Sequence, residues 1–455
     1  MIIAIEGMKN MLLDNKEIES VIANNLSIDF ISMVLTQDTT DKPKSYSGPG
    51  SVFLDADGVI RLKMYHVYQN EESIQRDFSD SFIDDGLVPG KIIGDQHYYS
   101  LEAVDMKGRQ WNSSHISLSG NTSFPARGKI IETSLQKISL AHVRTEGEEL
   151  KEELAYFIFP GKYKIPCNTF EKSEKGTSLT LCKLNLGDYN CEIKKRDSYI
   201  DMLVRGSSVM EIDRYSNILI ESISICAGAF LRPKLRIESS KEVRLAVIYS
   251  AGKPSTQELQ SPIDGMTTRE SAHFEEFARK YTNKIGEPFT ELFGYWYRVF
   301  SESSGELENR ALVLTTAIEG LLKKYFQEHG SPDKEFIEQV NDAKPKIKAV
   351  EIGKRVKDRI LSSLGNAVSP TAKNSLHSLA VSEIIPDELI KIWNELRNKS
   401  AHADELKKSD AELQEFLDQL FGCLELFYCL LLRHIEYKGN YIRYSQTGWP
   451  AVPMS

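Results

Sequence analysis

The sequence predicts an α+β protein, with a β-rich N-terminal domain, sandwich- or barrel-like, followed by a C-terminal all-α helical bundle. Three observations carry this. Short β-branched runs separated by turn residues fill roughly the first half. Ala251–Thr268 is rich in Gly, Pro, Ser, Thr and Gln and has little periodicity. Beyond it the apolar residues recur at helical spacing.

The β elements read in order. Ser51–Tyr65 suggests two strands joined by an Asp-Gly turn at Asp57-Gly58. Lys129–Val143 is strand-like. Ser178–Leu186 and Tyr189–Ile193 suggest a second hairpin with a turn at Gly187-Asp188. Ile218–Ile225 and Val243–Tyr249 are expected to be later strands. Acidic residues at Glu146, Glu148, Glu149, Glu152 and Glu153 suggest a subdivision near 146–155.

The helical half opens on Leu307, Ala311, Leu314, Ile318, Leu321 and Tyr325, which share one helical face. Gly330 and Pro332 are stop signals. Further helices are expected over roughly Ile347–Leu364 and from near Pro386 through Leu396. The last long helix starts at a capping box, Ser409-Asp410-Ala411-Glu412. Its stripe of Leu413, Phe416, Leu417, Leu420, Leu424, Phe427, Leu431 and Ile435 is widened by Phe421, Tyr428, Leu430 and Leu432. A helix so broadly apolar must be covered on more than one side, by its own bundle or by a second subunit. The domain limits are therefore read as 1–255, a linker and entry helix over 256–285, and a bundle over 286–455.

The formal charge of −9 over 455 residues argues against a chain that coats nucleic acid, though not against a local basic site. Met1–Asn10 carries Glu6 and does not read as a leader peptide, and Leu413–Ile435 is interrupted by Asp418, Glu425 and Arg433. A cytoplasmic, non-membrane protein is expected. Six cysteines lack Cys-x-x-Cys spacing, so buried reduced thiols, no metal and no cofactor are expected.

The chemistry concentrates in Ile392-Trp-Asn-Glu-Leu-Arg-Asn-Lys-Ser-Ala-His-Ala403, where Arg397 and His402 are separated by four residues and Asn398 follows the Arg. On a straight helix, positions five apart lie about 140° apart, so the two can cooperate only if the helix ends or distorts near Lys399–Ala401. This segment resembles the motif of the HEPN superfamily, and the β-rich half before it resembles the ApeA-like abortive-infection proteins. The resemblance covers roughly the last 170 residues. It implies a HEPN bundle acting as a metal-independent endoribonuclease in anti-phage defence, with Arg397, His402 and Asn398 in the site. It also implies a homodimer through the bundle, because one His cannot readily serve as both base and acid. Glu319, one turn from Lys323, is the candidate acidic partner of Arg397. A helix-surface pair with Lys323 is the plainer reading.

Lys344, Lys346, Lys348, Lys354, Arg355, Lys357 and Arg359 form the densest basic run, offering RNA contacts or simply a solvated face. The expected substrate is RNA, with tRNA the nearest analogy. The β-rich half is expected to sense a trigger, such as a phage-derived protein, and to restrain the nuclease. Two alternatives stay open. One is a non-catalytic dimerisation scaffold with a protein- or glycan-binding β domain. The other is a HAD-like phosphatase using Asp55 and Asp57, suggested by Val52–Ile60 and weakened by flanks that read as hairpins. The tail from Tyr437 to Trp449 mixes aromatics and cations, suited to packing on the bundle or to base stacking.

Overall fold

The computed structural model describes residues 12–454 except 41, 69, 81–89, 119–121, 124–127, 146–151, 174–175, 207–210, 251–256, 267–270, 331–333, 369–370, 383 and 402–408. The chain is a large β-sheet followed by a helical region. Its internal contacts divide it into a β unit (Met1–Tyr163, Asn168–Ser216, Leu231–Ser255) and a helical unit (Lys164–Cys167, Asn217–Phe230, Thr256–Ser455).

The β unit begins with α1 (Asn15–Ile22), then β1 (Ser27–Gln37), β2 (Ser45–Leu54), β3 (Ile60–Val67), α2 (Glu71–Asp80), β4 (Tyr99–Asp105), β5 (Gln110–Ile116), β6 (Thr122–Ser123), β7 (Gly128–Leu135) and β8 (Lys137–Val143). It continues with β9 (Glu153–Pro160), β10 (Thr169–Ser173), β11 (Gly176–Asn185), β12 (Tyr189–Lys195), β13 (Tyr199–Gly206), β14 (Leu235–Ser239) and β15 (Val243–Tyr249). These fifteen strands form one sheet in the order β10-β11-β12-β13-β9-β14-β15-β8-β5-β4-β1-β2-β3-β7-β6. Both expected hairpins form. Gly58 and Gly187 take φ of 80° and 84° at their turns, a conformation that costs glycine little. The Lys129–Val143 run is two strands, β7 and β8, hinged at Gln136.

Alternation along β1, β3, β4 and β5 turns Met33, Leu35, Ile60, Leu62, Leu101 and Trp111 inward. Asp105 anchors this core. Its carboxylate accepts from Trp111 Nε1 at 3.0 Å, from Arg109 Nε at 2.7 Å and from the Lys107 and Arg109 amides. Burial raises its pKa, and these donors more than offset that, leaving it below the usual range. Arg109 also binds Glu17 of α1 at 2.7 Å, so a polar latch holds the first helix, whose Ile18 and Val21 are buried.

One expected strand is a helix. Ile218–Ile225 lies inside α3 (Ile212–Ala227). The alternating isoleucines mimic a strand, but Ile218 through Ile225 are all buried, so there is no solvent face to betray the 3.6 period. Two hydroxyls confirm the helix: Ser222 donates to Leu219 O and Ser224 to Ile220 O, each at 2.7 Å. Glu221 is buried here too, accepting from Tyr281 Oη at 3.0 Å and from the Phe289 amide. Burial pushes its carboxyl up to about 7 despite those bonds. A folded-state pKa above the unfolded value means the folded state holds the proton more tightly. Stability is therefore full below about pH 4 and falls as pH rises through 7. Glu221→Gln mimics the protonated acid, so it should flatten that decline and gain roughly 3 kcal/mol over wild type near pH 8. Urea unfolding of both proteins at pH 5 and pH 8 checks this.

The helical unit continues with α4 (Ala272–Lys284), α5 (Glu291–Ser301), α6 (Leu307–Tyr325), α7 (Lys334–Ala349), α8 (Lys354–Ala367), α9 (Ala372–Val381), α10 (Asp387–Ala401) and α11 (Asp410–His434), then a short β16–β17 pair (Asn440–Ile442 and Ala451–Pro453). The helix expected over Ile347–Leu364 is split, with Gly353 at the N-cap of α8. The expected linker is partly packed. Leu259 N donates to Gly228 O at 2.7 Å, and Leu259, Ile263 and Met266 are buried. No helix among the described residues is long and apolar enough to cross a membrane.

Candidate functional site

Three helices build the site. α6 packs against α5, α10 and α11, and α10 also packs against α11. Gly422 lets α11 approach α10 closely, since a Cβ there would lie 2.9 Å from Ile392. The Ser409 capping box forms as expected, with Ser409 N donating to Glu412 Oε2 at 2.8 Å and Ser409 Oγ accepting from Glu412 N. Gly422 and every residue from Cys423 to Leu432 are buried within the chain. The stripe is thus covered by its own chain from Gly422 to Leu432, while Leu413 is exposed and Leu417 and Phe421 are half-buried.

On α10, Leu389, Ile390, Trp393 and Leu396 are buried and fix the rotation of the helix. That places Arg397 at the edge of the buried stripe. Its guanidinium lies 5.7 Å from the Trp393 ring centroid, and its Nε pairs with the Glu319 carboxylate on α6. The Arg397 side chain is 51% exposed and Glu319 37%, so the pair spends one edge of the guanidinium on positioning and keeps an accessible cation. Of the two sequence readings of Glu319, the structure has the pair with Arg397. Asn398 is exposed on the next position. Lys399 ties α10 to α11 through Glu415 Oε1 at 2.8 Å and Gln419 Oε1 at 3.1 Å, and Gln419 in turn donates to Glu395 at 3.0 Å. The Trp393 platform is readable in the sequence as an i, i+4 Trp–Arg pair.

α10 is helical to Ala401, the last position of the stretch where the helix is expected to end or distort. His402 lies outside the described residues, as does the Asp404–Lys408 stretch. The structure therefore brings Arg397 and Glu319 together, leaves Asn398 exposed on the next position of α10, and does not describe the place of His402.

The basic run lies on the end of α7 and the start of α8. Lys346, Lys348, Lys354, Arg355 and Arg359 are exposed, while Lys344 and Lys357 are half-buried. Lys357 Nζ donates to Lys348 O at 2.9 Å, binding the start of one helix to the end of the other. The aromatic tail packs on the bundle. Tyr437, Tyr441 and Tyr444 are buried, and Trp449 sits 5.1 Å from the Phe421 ring. Arg443 joins the fully buried Glu425 to Glu388.

In the β unit, a cleft of about 710 Å³ includes Asp55, Arg61, Lys63, Glu132, Tyr98 and His115 in its lining. Asp55 is occupied with its own turn. It accepts from the Asp57 and Val59 amides at 3.0 and 2.9 Å and from Arg61 Nε at 2.9 Å. These bonds hold its pKa low, and β2 and β3 flank it as an antiparallel hairpin. The acidic cluster at Glu146–Glu149 lies outside the described residues. The six cysteines are buried thiols outside any disulfide. Among the described residues, no group of three or more His, Cys, Asp or Glu is placed to hold a metal.

No family model, curated protein or solved structure matches the chain.

Proposed function

We propose that the chain is a metal-independent endoribonuclease of the HEPN type, cytoplasmic and active in anti-phage, abortive-infection defence. The observation that carries this reading is the seating of Arg397. The motif arginine is held by an acid on a preceding helix and backed by Trp393, with its side chain half exposed. A purely structural ion pair needs no neighbouring His in the same segment.

The chemistry follows from RNA itself. The ribose 2′-hydroxyl attacks the adjacent phosphorus, forming the O2′–P bond while the P–O5′ bond breaks. A base takes the 2′-proton and an acid supplies a proton to O5′. His402 supplies proton transfer, and Arg397 stabilises the charge on the phosphorane oxygens. Asn398 orients the phosphate or the imidazole. Two proton transfers at opposite oxygens call for two imidazoles, which a two-fold dimer of bundles supplies. Since the C-terminal half of α11 is covered by its own chain, the case for the dimer rests on this proton count. The β unit would sense a trigger and restrain the nuclease, and tRNA is the nearest substrate by analogy.

The test is cleavage of RNA by the purified chain with its trigger, with and without a chelator. Cleavage that persists in chelator and disappears in the His402→Ala variant supports the reading. Cleavage abolished by chelation, or retained without His402, overturns it. Glu319 adds a finer check. As a positioning residue, its Gln variant should cleave roughly ten-fold more slowly, while stability moves by less than about 1 kcal/mol because the pair is half exposed. Turnover and chemical denaturation of the same preparation separate the two effects. An unchanged rate would leave Glu319 as a surface pair only.

A further inference from the structure

The α7–α8 hairpin is unlike the rest of the helical unit. Between 344 and 359 there are seven Lys or Arg and two acids, Glu351 and Asp358, in a chain whose net charge is −9. No residue of α8 is buried, although the helix has an apolar row. Val356 is 57% exposed and Ile360 37%, four apart on one row. Arg355 and Arg359 form the adjacent row, also four apart and exposed. On α7, Lys344 and Lys348 share a row. The bond from Lys357 Nζ to Lys348 O places the end of that row beside α8. A solvated structural face needs neither the charge excess nor the open apolar row beside it.

We propose that this hairpin is the arm that grips single-stranded RNA. Lys344, Lys348, Arg355 and Arg359 contact phosphates, and Val356 and Ile360 pack against unstacked bases. The inference rests on the ribonuclease reading and names its substrate class. Among the described residues no acid is ion-paired with Lys344, Lys348, Arg355 or Arg359, and phosphate supplies the missing negative charge. Double-stranded RNA keeps its bases stacked inside and offers the apolar row nothing, so the pairing of the two rows selects single strands or loops.

The test uses the full chain carrying His402→Ala, so that binding is measured without cleavage. Fluorescent single-stranded RNA of mixed sequence is titrated across a salt series, beside a duplex of the same sequence. In a second protein Lys344, Lys348, Arg355 and Arg359 are changed to Gln. A control changes the exposed Lys16, Lys91, Lys162 and Lys241 to Gln, matching the loss of net charge. The hairpin variant should bind roughly 30-fold or more weakly at about 0.1 M salt, with the slope of log affinity on log salt reduced by about 2 to 3. The control should keep both, and Val356→Ser with Ile360→Ser should weaken single strands but not the duplex. Equal losses in hairpin and control proteins, no loss in either, tighter binding of the duplex, or no RNA binding at low salt each overturn the arm. Failure of the arm is distinguishable from failure of the nuclease. If the wild type cleaves RNA while the hairpin variant binds as well as its parent, only the arm is wrong. If the arm binds RNA as described but the wild type never cleaves, the arm stands and the nuclease reading fails.

Discussion

His402→Ala should reduce RNA cleavage about 10³-fold and leave the helical fold unchanged. A positioned general acid–base is worth roughly 10²–10⁴ in rate, and the imidazole is the only group in the Arg397–Ala403 segment that titrates near neutral pH. The loss should fall on kcat, because the histidine moves protons and does not bind the strand. Circular dichroism and denaturation should match wild type, since Leu396 is the last buried position of α10 among the described residues. A variant that keeps its kcat would remove the histidine from the mechanism, whatever the arginine does.

Arg397→Ala is the second large effect, expected at roughly 10²–10³-fold on kcat, the usual cost of removing one charged donor from a developing oxyanion. Arg397→Lys should not restore the rate. A lysine can satisfy Glu319, but it lacks the planar fork that can bind a carboxylate on one edge and a phosphate on another. Stability should move little, because the Arg397–Glu319 pair is half exposed and its contact with Trp393 is at the edge of the bundle. Measured together, kcat and the unfolding midpoint distinguish a catalytic arginine from one that merely ties α10 to α6. Rescue by lysine, or equal loss of stability and rate, would favour the tie.

Much of this site was legible in the sequence because its determinants are local. The Ser409–Glu412 box marked the start of α11 within a residue, and the stripe from Phe416 to Leu431 marked its buried face. Glu319 was legible as an acid beside the α6 stripe, although only the packing of α6 on α10 could choose Arg397 over Lys323 as its partner. What failed was where burial erased periodicity. α3 is buried on every side from Ile218 to Ala227, so its isoleucines read like a strand, and only the serine back-bonds and the Glu221–Tyr281 contact reveal the helix. The order of the sheet was illegible for a different reason. β8 pairs with β15 across about a hundred residues of chain, and β9 lies between β13 and β14. Such register is set by long-range complementarity that no single run displays. The covering of α11 by its own chain was also unreadable, since a broad stripe fits a bundle interior and a dimer interface equally well.

The most direct measurement is the identity of the new RNA ends when the full chain, with its trigger, cuts a defined RNA in the presence of chelator. A 2′,3′-cyclic phosphate on the upstream fragment and a 5′-hydroxyl on the downstream fragment, both absent with His402→Ala, are the expected result. A 3′-hydroxyl with a 5′-phosphate, which requires water rather than the ribose 2′-hydroxyl as nucleophile, would contradict it.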